Sequence, residues 1–347
     1  MSISLPFSRK IWIASLFSAA LIIFFIILPG CQSPVQSELP EEGRTYISYI
    51  CGNTGDAVTA ARSGLVLMGG GPDVDAAFQW MIDRSGGGDF VVIRTSGSDA
   101  YNPYISGLGA VNSVETILFY SREAAFDNAV LDKLRQAEAL FIAGGDQNTY
   151  VRMWKDTPVE DIINQHLAGN IPIGGTSAGL AVLGEFLFQA RLGTAYSDEV
   201  LTNPYHNSIT LEKDFLQLPF LRNTITDSHF SSRSRIGRLV VFLARIIQDG
   251  WTEQARAVGI DEATALAVDE AGNGRVMGNR SVYFLRSPGK PETCRENTPL
   301  TYKNIPVYQI SATGIFHLPS WTGSGGTAYF LSVEDGKLNS KNHTEAY

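Results

Sequence analysis

The sequence predicts an α/β protein built on a mostly parallel sheet flanked by helices, and three observations carry that prediction. Short apolar runs alternate with amphipathic stretches, the order that gives parallel strands joined by right-handed crossovers. The sequence Gly175-Thr176-Ser177-Ala178-Gly179 sits where the apolar run Ile171-Pro172-Ile173-Gly174 gives way to a helix-like stretch over residues 180–190. Forty-four per cent of the 347 residues are hydrophobic, enough for one large core and a small additional module.

Taken in order, Leu65-Val66-Leu67-Met68 reads as a strand that runs into three glycines, followed by an amphipathic stretch with Ala77, Phe78, Met81 and Ile82 on one face. Phe90-Val91-Val92-Ile93 completes a β-α-β unit, and Thr116-Ile117-Leu118-Phe119 adds a strand. Ser121 is placed to cap a helix bearing Phe126, Val130 and Leu134, which leads to a strand over residues 139–143. Thr157 and Pro158 open the next helix, which ends near Gly169-Asn170 before the strand that carries Ser177. The apolar positions Ile236, Leu239, Val240, Leu243, Ile246 and Ile247 recur at helical spacing. Residues 265–271 and 275–285, joined through Gly272-Asn273-Gly274, read as a hairpin, and the tail from Ser287 adds strands or a cover.

The chemistry concentrates in three places. A serine at a sharp strand-to-helix turn has its Oγ lifted clear of the sheet, and the N–H of Ala178 then faces any oxyanion formed at Ser177. His229, in Thr226-Asp227-Ser228-His229-Phe230, is the histidine set among polar and cationic neighbours, and imidazole titrates near neutrality without extensive tuning. Gly259-Ile260-Asp261-Glu262 offers two adjacent carboxylates after a short strand. Only one can point toward the histidine, because successive strand residues face opposite sides. Glu262 is chosen over Asp261, although spacing alone does not decide between them.

These motifs together resemble the cyanophycinase family of serine peptidases. Phe141-Ile142-Ala143-Gly144-Gly145-Asp146-Gln147 is similar to the family's Gly-Gly-Asp-Gln loop, and Asp227 to Phe230 with Arg233, Arg235 and Arg238 resembles its histidine segment. The resemblance covers roughly residues 64–285 and implies a class I glutamine amidotransferase-like fold with a nucleophile elbow. It implies a Ser177, His229, Glu262 triad, an oxyanion hole from Gly145 and Ala178, and substrate contacts from Gln147, Asp227, Arg233, Arg235 and Arg238. The implied substrate is cyanophycin or a related aspartyl peptide, cut at a β-aspartyl bond. A solvated helix face is the plain alternative for the arginines. Two departures bear on the substrate: Met68-Gly69-Gly70-Gly71-Pro72-Asp73 only loosely matches the family's first glycine turn, and residues 196–221 lengthen the serine-to-histidine separation and could reshape or occlude the pocket. An esterase with Ser177, Asp269 and His317, an α-aspartyl dipeptidase and a non-catalytic binding lipoprotein are the competing functions.

The ends and the composition set the context. Arg9 and Lys10 precede an apolar run over residues 11–28 that ends in Leu28-Pro29-Gly30-Cys31, which reads as a lipoprotein signal with Cys31 acylated as the first mature residue. The expected organisation is a signal over 1–31, a tether and extension over 32–63, the peptidase-like domain over 64–285 and a β-rich extension over 286–347. An exported protein held at the membrane of the cell envelope by lipid follows, with an uncleaved anchor as the alternative. A formal charge of −8 argues against nucleic acid as a partner. Neither Cys-x-x-Cys nor paired-histidine spacing occurs, so no metal or other cofactor is expected. Cys51 and Cys294 remain, and sequence leaves open whether they pair. A homodimer is an open assembly.

Overall fold

The computed structural model describes residues 43–341 and contains two sheets. The larger is centred on five parallel strands in the spatial order Ser113–Phe119, Asp89–Arg94, Ala139–Ile142, Pro172–Thr176 and Gly64–Met68. Their side chains alternate between two cores. Leu65, Leu67, Val91, Ile93, Leu140 and Ile142 enter one cluster with helices Asn128–Arg135 and Pro158–Ala168, whereas Val66, Met68, Phe90, Val92 and Phe141 enter the other with helix Asp75–Ser85. Burial on both faces explains why these strands read as unbroken apolar runs. Gly174 permits the close fit, since a Cβ there would come within 2.8 Å of Met81 Sδ and 2.9 Å of Phe141.

Antiparallel strands flank the parallel block. Tyr46–Gly52, from the expected N-terminal extension, pairs with Ser113–Phe119 at one edge. At the other, Thr264–Val268 pairs with Gly64–Met68 and is followed outward by Asn273–Gly278, Ile315–His317 and Thr322–Ser324. The second sheet holds eight strands in the order Lys337–Lys341, Thr327–Glu334, Tyr302–Ile310, Val282–Arg286, Arg256–Ile260, Thr224–Asp227, Phe186–Phe188 and Leu211–Lys213. Helix Ile236–Gln248 packs its predicted apolar positions into the core of this sheet. Strands beyond residue 286 extend both sheets.

Three local expectations are corrected and one open question is answered. The stretch 180–190 is helical only at its start, Ala178–Ala181, and then forms strand Phe186–Phe188. The chain passes close to Thr224 there, leaving Gly184 no room for a side chain. Asp127, not Ser121, caps helix Asn128–Arg135 by accepting from the Ala129 N–H at 2.9 Å, and Phe126 stays 53% exposed. The hairpin pairs Thr264–Val268 with Asn273–Gly278, but its second arm breaks after Gly278 (φ 100°), and Val282–Arg286 crosses to the other sheet. Cys294 is a free, buried thiol, so no bridge joins it to Cys51. Cys31 and the lipoprotein signal lie outside the described residues.

Candidate active site

Strand Pro172–Thr176 delivers Ser177 at φ 54° and ψ −113°, a conformation non-glycine residues rarely adopt and one that costs of order 1–3 kcal/mol. The flanking glycines make this turn feasible through close approach. A Cβ on Gly175 would meet the Gly179 backbone at 2.6 Å, and one on Gly179 would strike the Ile142 carbonyl. The Ser177 N–H donates to the Met68 carbonyl at 3.1 Å, tying the elbow to the adjacent strand end. Its hydroxyl is thereby presented at the carboxyl edge of the parallel block, where open α/β sheets bind ligands.

His229 arrives from the second sheet, two residues beyond strand Thr224–Asp227, with φ 46°. Ser177 Oγ lies 2.8 Å from His229 Nε2, and His229 Nδ1 lies 2.5 Å from Glu262 Oε1. Donation from Nδ1–H to the carboxylate leaves Nε2 free to accept the serine proton. The choice between neighbouring carboxylates resolves on geometry: Asp261 accepts the N–H groups of Ser231 at 2.9 Å and Ser281 at 3.3 Å, bracing the histidine loop, while Glu262 faces the imidazole. Burial pushes the His229 pKa below its ordinary 6.5, Arg233 and Arg235 push the same way, and the Glu262 hydrogen bond opposes them. The neutral base is therefore the form present at neutral pH. Glu262 is held below the usual carboxylate range, chiefly by its bond to His229.

The glycine run 69–71 joins these parts, a role that sequence reading missed. Gly69 O accepts from His229 N–H at 2.7 Å, Gly70 O accepts from Ala263 N–H at 3.0 Å, and Gly69 N–H donates to Thr264 O at 2.9 Å. A Cβ on Gly70 (φ 85°) would sit 2.5 Å from His229 Nε2 and 3.1 Å from Ser177 Cβ. The available signal was three glycines directly after a strand, where only a bare backbone can approach both the Ser177 and the His229 side chains.

A cavity of about 260 Å³ opens beside Ser177, and Gly145, Gln147, Ala178, Arg233, Arg235 and Arg238 all contribute to its wall. Asp146 caps helix Gln147–Trp154 by accepting from Asn148 N–H at 3.1 Å, which fixes the Gly144-Gly145 loop against the elbow. Gln147 Nε2 donates to Phe188 O at 3.2 Å. The arginines separate by environment. Asp227 takes a two-point ion pair from buried Arg238, with Nε to Oδ2 at 2.8 Å and Nη2 to Oδ1 at 2.5 Å, so this carboxylate is engaged by protein. Arg235 donates to Ser228 O at 2.8 Å, and burial brings its pKa down to about 10, leaving it cationic at neutral pH. Arg233 is exposed and forms no ion pair among the described residues.

The alternative serine, aspartate and histidine set is not assembled. Asp269 closes the 269–273 turn by accepting from Ala271 and Asn273, and His317 pairs with Ser320 Oγ at 2.7 Å on an outer strand. Residues 196–221 do not cover the cavity either. They form helix Ser197–Thr202, which packs on helix Ile236–Gln248, and strand Leu211–Lys213 at the sheet edge, while Phe188, Ala190, Gly193 and Thr194 supply the rim.

Residues 113–273 match the model of Peptidase family S51. Cyanophycinase of Trichormus variabilis is 29% identical over 210 residues, 59% of this chain and 65% of that protein, so the match spans just under two thirds of the relative. Cyanophycinase of Thermosynechococcus vestitus is 27% identical over 276 residues, covering 75% and 80% of the two chains. The fold is similar to that of a crystal structure of a peptidase from an acI-B1 actinobacterium, at TM-score 0.50 and 18% identity over 74% of this chain and 98% of that one. With its motifs in that order on this fold, the chain is similar to Peptidase family S51 and to cyanophycinases.

Proposed function

We propose that this protein is a serine peptidase that hydrolyses β-aspartyl bonds in cyanophycin-like polymer or in small aspartyl peptides. The carrying observation is the unbroken Ser177, His229 and Glu262 hydrogen-bond chain at the wall of an arginine-lined cavity. Ser177 Oγ attacks the amide carbonyl as His229 Nε2 takes its proton, and Glu262 steadies the imidazolium. The N–H groups of Gly145 and Ala178 receive the oxyanion. His229 then protonates the departing amine, an acyl-serine remains, and water activated by the same imidazole releases the acid. Acylation at Cys31, as the signal implies, would place this activity at the envelope.

A β-linked aspartyl residue keeps its α-carboxylate beside the scissile bond, where an α-linked one has none. Arg233 and Arg235 provide planar forks for that anion. Removing such a charge-assisted contact costs about 2–5 kcal/mol, or roughly thirtyfold to several thousandfold in kcat/KM. The test is kcat/KM on matched α- and β-linked aspartyl dipeptides. The β-linked peptide should be preferred by the parent, Arg233→Ala and Arg235→Ala should lower its cleavage by such factors, and Arg→Lys should recover only part. Equal rates on both linkages, or indifference to both arginines, would assign the triad to another substrate.

A further inference from the structure

A cavity of about 280 Å³ lies apart from the triad, where the outer strands Ile315–His317 and Thr322–Ser324 of the larger sheet meet strands Val282–Arg286, Tyr302–Ile310 and Thr327–Glu334 of the second. Every residue lining it lies beyond residue 273, where the match to Peptidase family S51 ends. Its wall is aromatic. Phe284 and Phe316 stack with centroids 3.6 Å apart and planes 6° from parallel, and the Trp321 indole meets them edge-on at 5.9 and 5.2 Å. Trp321 holds φ 56°, a backbone conformation that a bulky residue keeps only where its surroundings dictate it. Tyr308 pairs with Phe284 across the sheet and accepts the Gly326 N–H at 3.1 Å, which fixes its ring at the cavity.

Beside this wall stand two cations without an acid. Arg256 and Arg286 are directly opposite each other in antiparallel strands, an arrangement that is destabilising for like charges. Neither forms an ion pair among the described residues. Arg256 lies 4.8 Å over the Trp321 ring, and its side chain has one hydrogen bond among the described residues, to Leu318 O at 3.4 Å. Burial lowers the Arg256 pKa, and the charge of Arg286 pushes the same way. The pair therefore presents planar donor forks that an anion would satisfy while relieving their repulsion.

We propose that this cavity binds a flat, ring-bearing carboxylate, with the ring against Tyr308 and Trp321 and the anion between Arg286 and Arg256. An apolar, aromatic wall with a few placed charges is the usual make-up of a small-molecule site. Arg256 begins the strand Arg256–Ile260 and Glu262 follows its other end, so the site is separate from the triad and does not depend on the peptidase reading.

The test is calorimetric titration of the parent at neutral pH with naphthoate, with its uncharged amide naphthamide and with acetate, repeated on Arg286→Gln and Arg286→Glu. Arg286 is exposed, so both variants should fold. Naphthoate should bind the parent at submillimolar concentration, and naphthamide and acetate roughly tenfold more weakly or worse, because each lacks one half of the ligand. Arg286→Gln should weaken naphthoate about tenfold, and Arg286→Glu should abolish its binding. Arg286→Glu also places a carboxylate opposite Arg256, and should raise the thermal unfolding midpoint of the free protein by about 1–2 °C. Absence of naphthoate binding, equal affinity for naphthamide, or an affinity unchanged in both variants would overturn the site, the last by placing the anion at the arginines near Ser177. A lower midpoint for Arg286→Glu would overturn it as well, since the arginine pair would then already have its counter-charge.

Discussion

Ser177→Ala and His229→Ala are each expected to lower kcat by about 10⁴-fold or more, and the double variant should lose little beyond either single one. The reason is the single chain of contacts: Ser177 Oγ has its base 2.8 Å away, and that base has its orienting carboxylate at 2.5 Å on its other nitrogen. Once either member is gone, the other has no proton transfer to perform. The fold should be nearly indifferent to Ser177→Ala, because alanine meets the same positive φ and the lost hydroxyl contact borders a cavity. Turnover numbers and thermal unfolding of the three variants check this. Additive losses, or a Ser177→Ala enzyme within threefold of the parent, would separate these residues from the reaction.

Asp227→Ala is expected to be the most destabilising single change around the site, by about 3–5 kcal/mol. Asp227 and Arg238 have side chains only 4% and 3% exposed, and the carboxylate also receives the Ser228 N–H and the more distant Arg235. Truncating the aspartate would leave Arg238 charged and buried without its partner, retaining weaker contacts to Thr194 Oγ1 at 3.1 Å, to Ala195 O at 3.5 Å and to the faces of Phe188 and Phe242. Replacing both residues by apolar ones of similar volume should cost less than the single truncation, because it removes the stranded charge. Denaturant midpoints of the single and double variants measure the difference. A single variant within 1 kcal/mol of the parent would mean that water reaches Arg238 in solution.

The elements legible in the sequence are those whose signal is local. Leu65 to Met68 and Phe90 to Ile93 are short apolar runs because each strand is covered on both faces, and composition alone reveals that. Ser177 and His229 stand in motifs compact enough to read directly. Glu262 was less legible because what separates it from Asp261 is the backbone reversal at Ala263 (φ 53°) and the amides that claim Asp261 from Ser231 and Ser281, thirty and twenty residues away in sequence. The second sheet was hidden for a similar reason: Thr224–Asp227 lies beside Arg256–Ile260 in parallel register, a long-range pairing with no local pattern of its own. Asp227 and Arg238 illustrate the cost of reading side chains singly. Both look available for substrate until folding places them against each other.

Activation of Ser177 by a neutral, buried His229 is tested by the pH dependence of covalent labelling with a serine-reactive phosphonate, the adduct being located by peptide mass spectrometry. His229 must be unprotonated to take the serine proton, and burial lowers its pKa from 6.5. The labelling rate should therefore hold a plateau on the alkaline side and fall along an acidic limb centred below pH 6.5. One adduct is expected, on Ser177, with that acidic limb, and labelling should be lost in His229→Ala. An adduct on another residue, a limb centred well above pH 6.5, or unchanged labelling without His229 would contradict this activation.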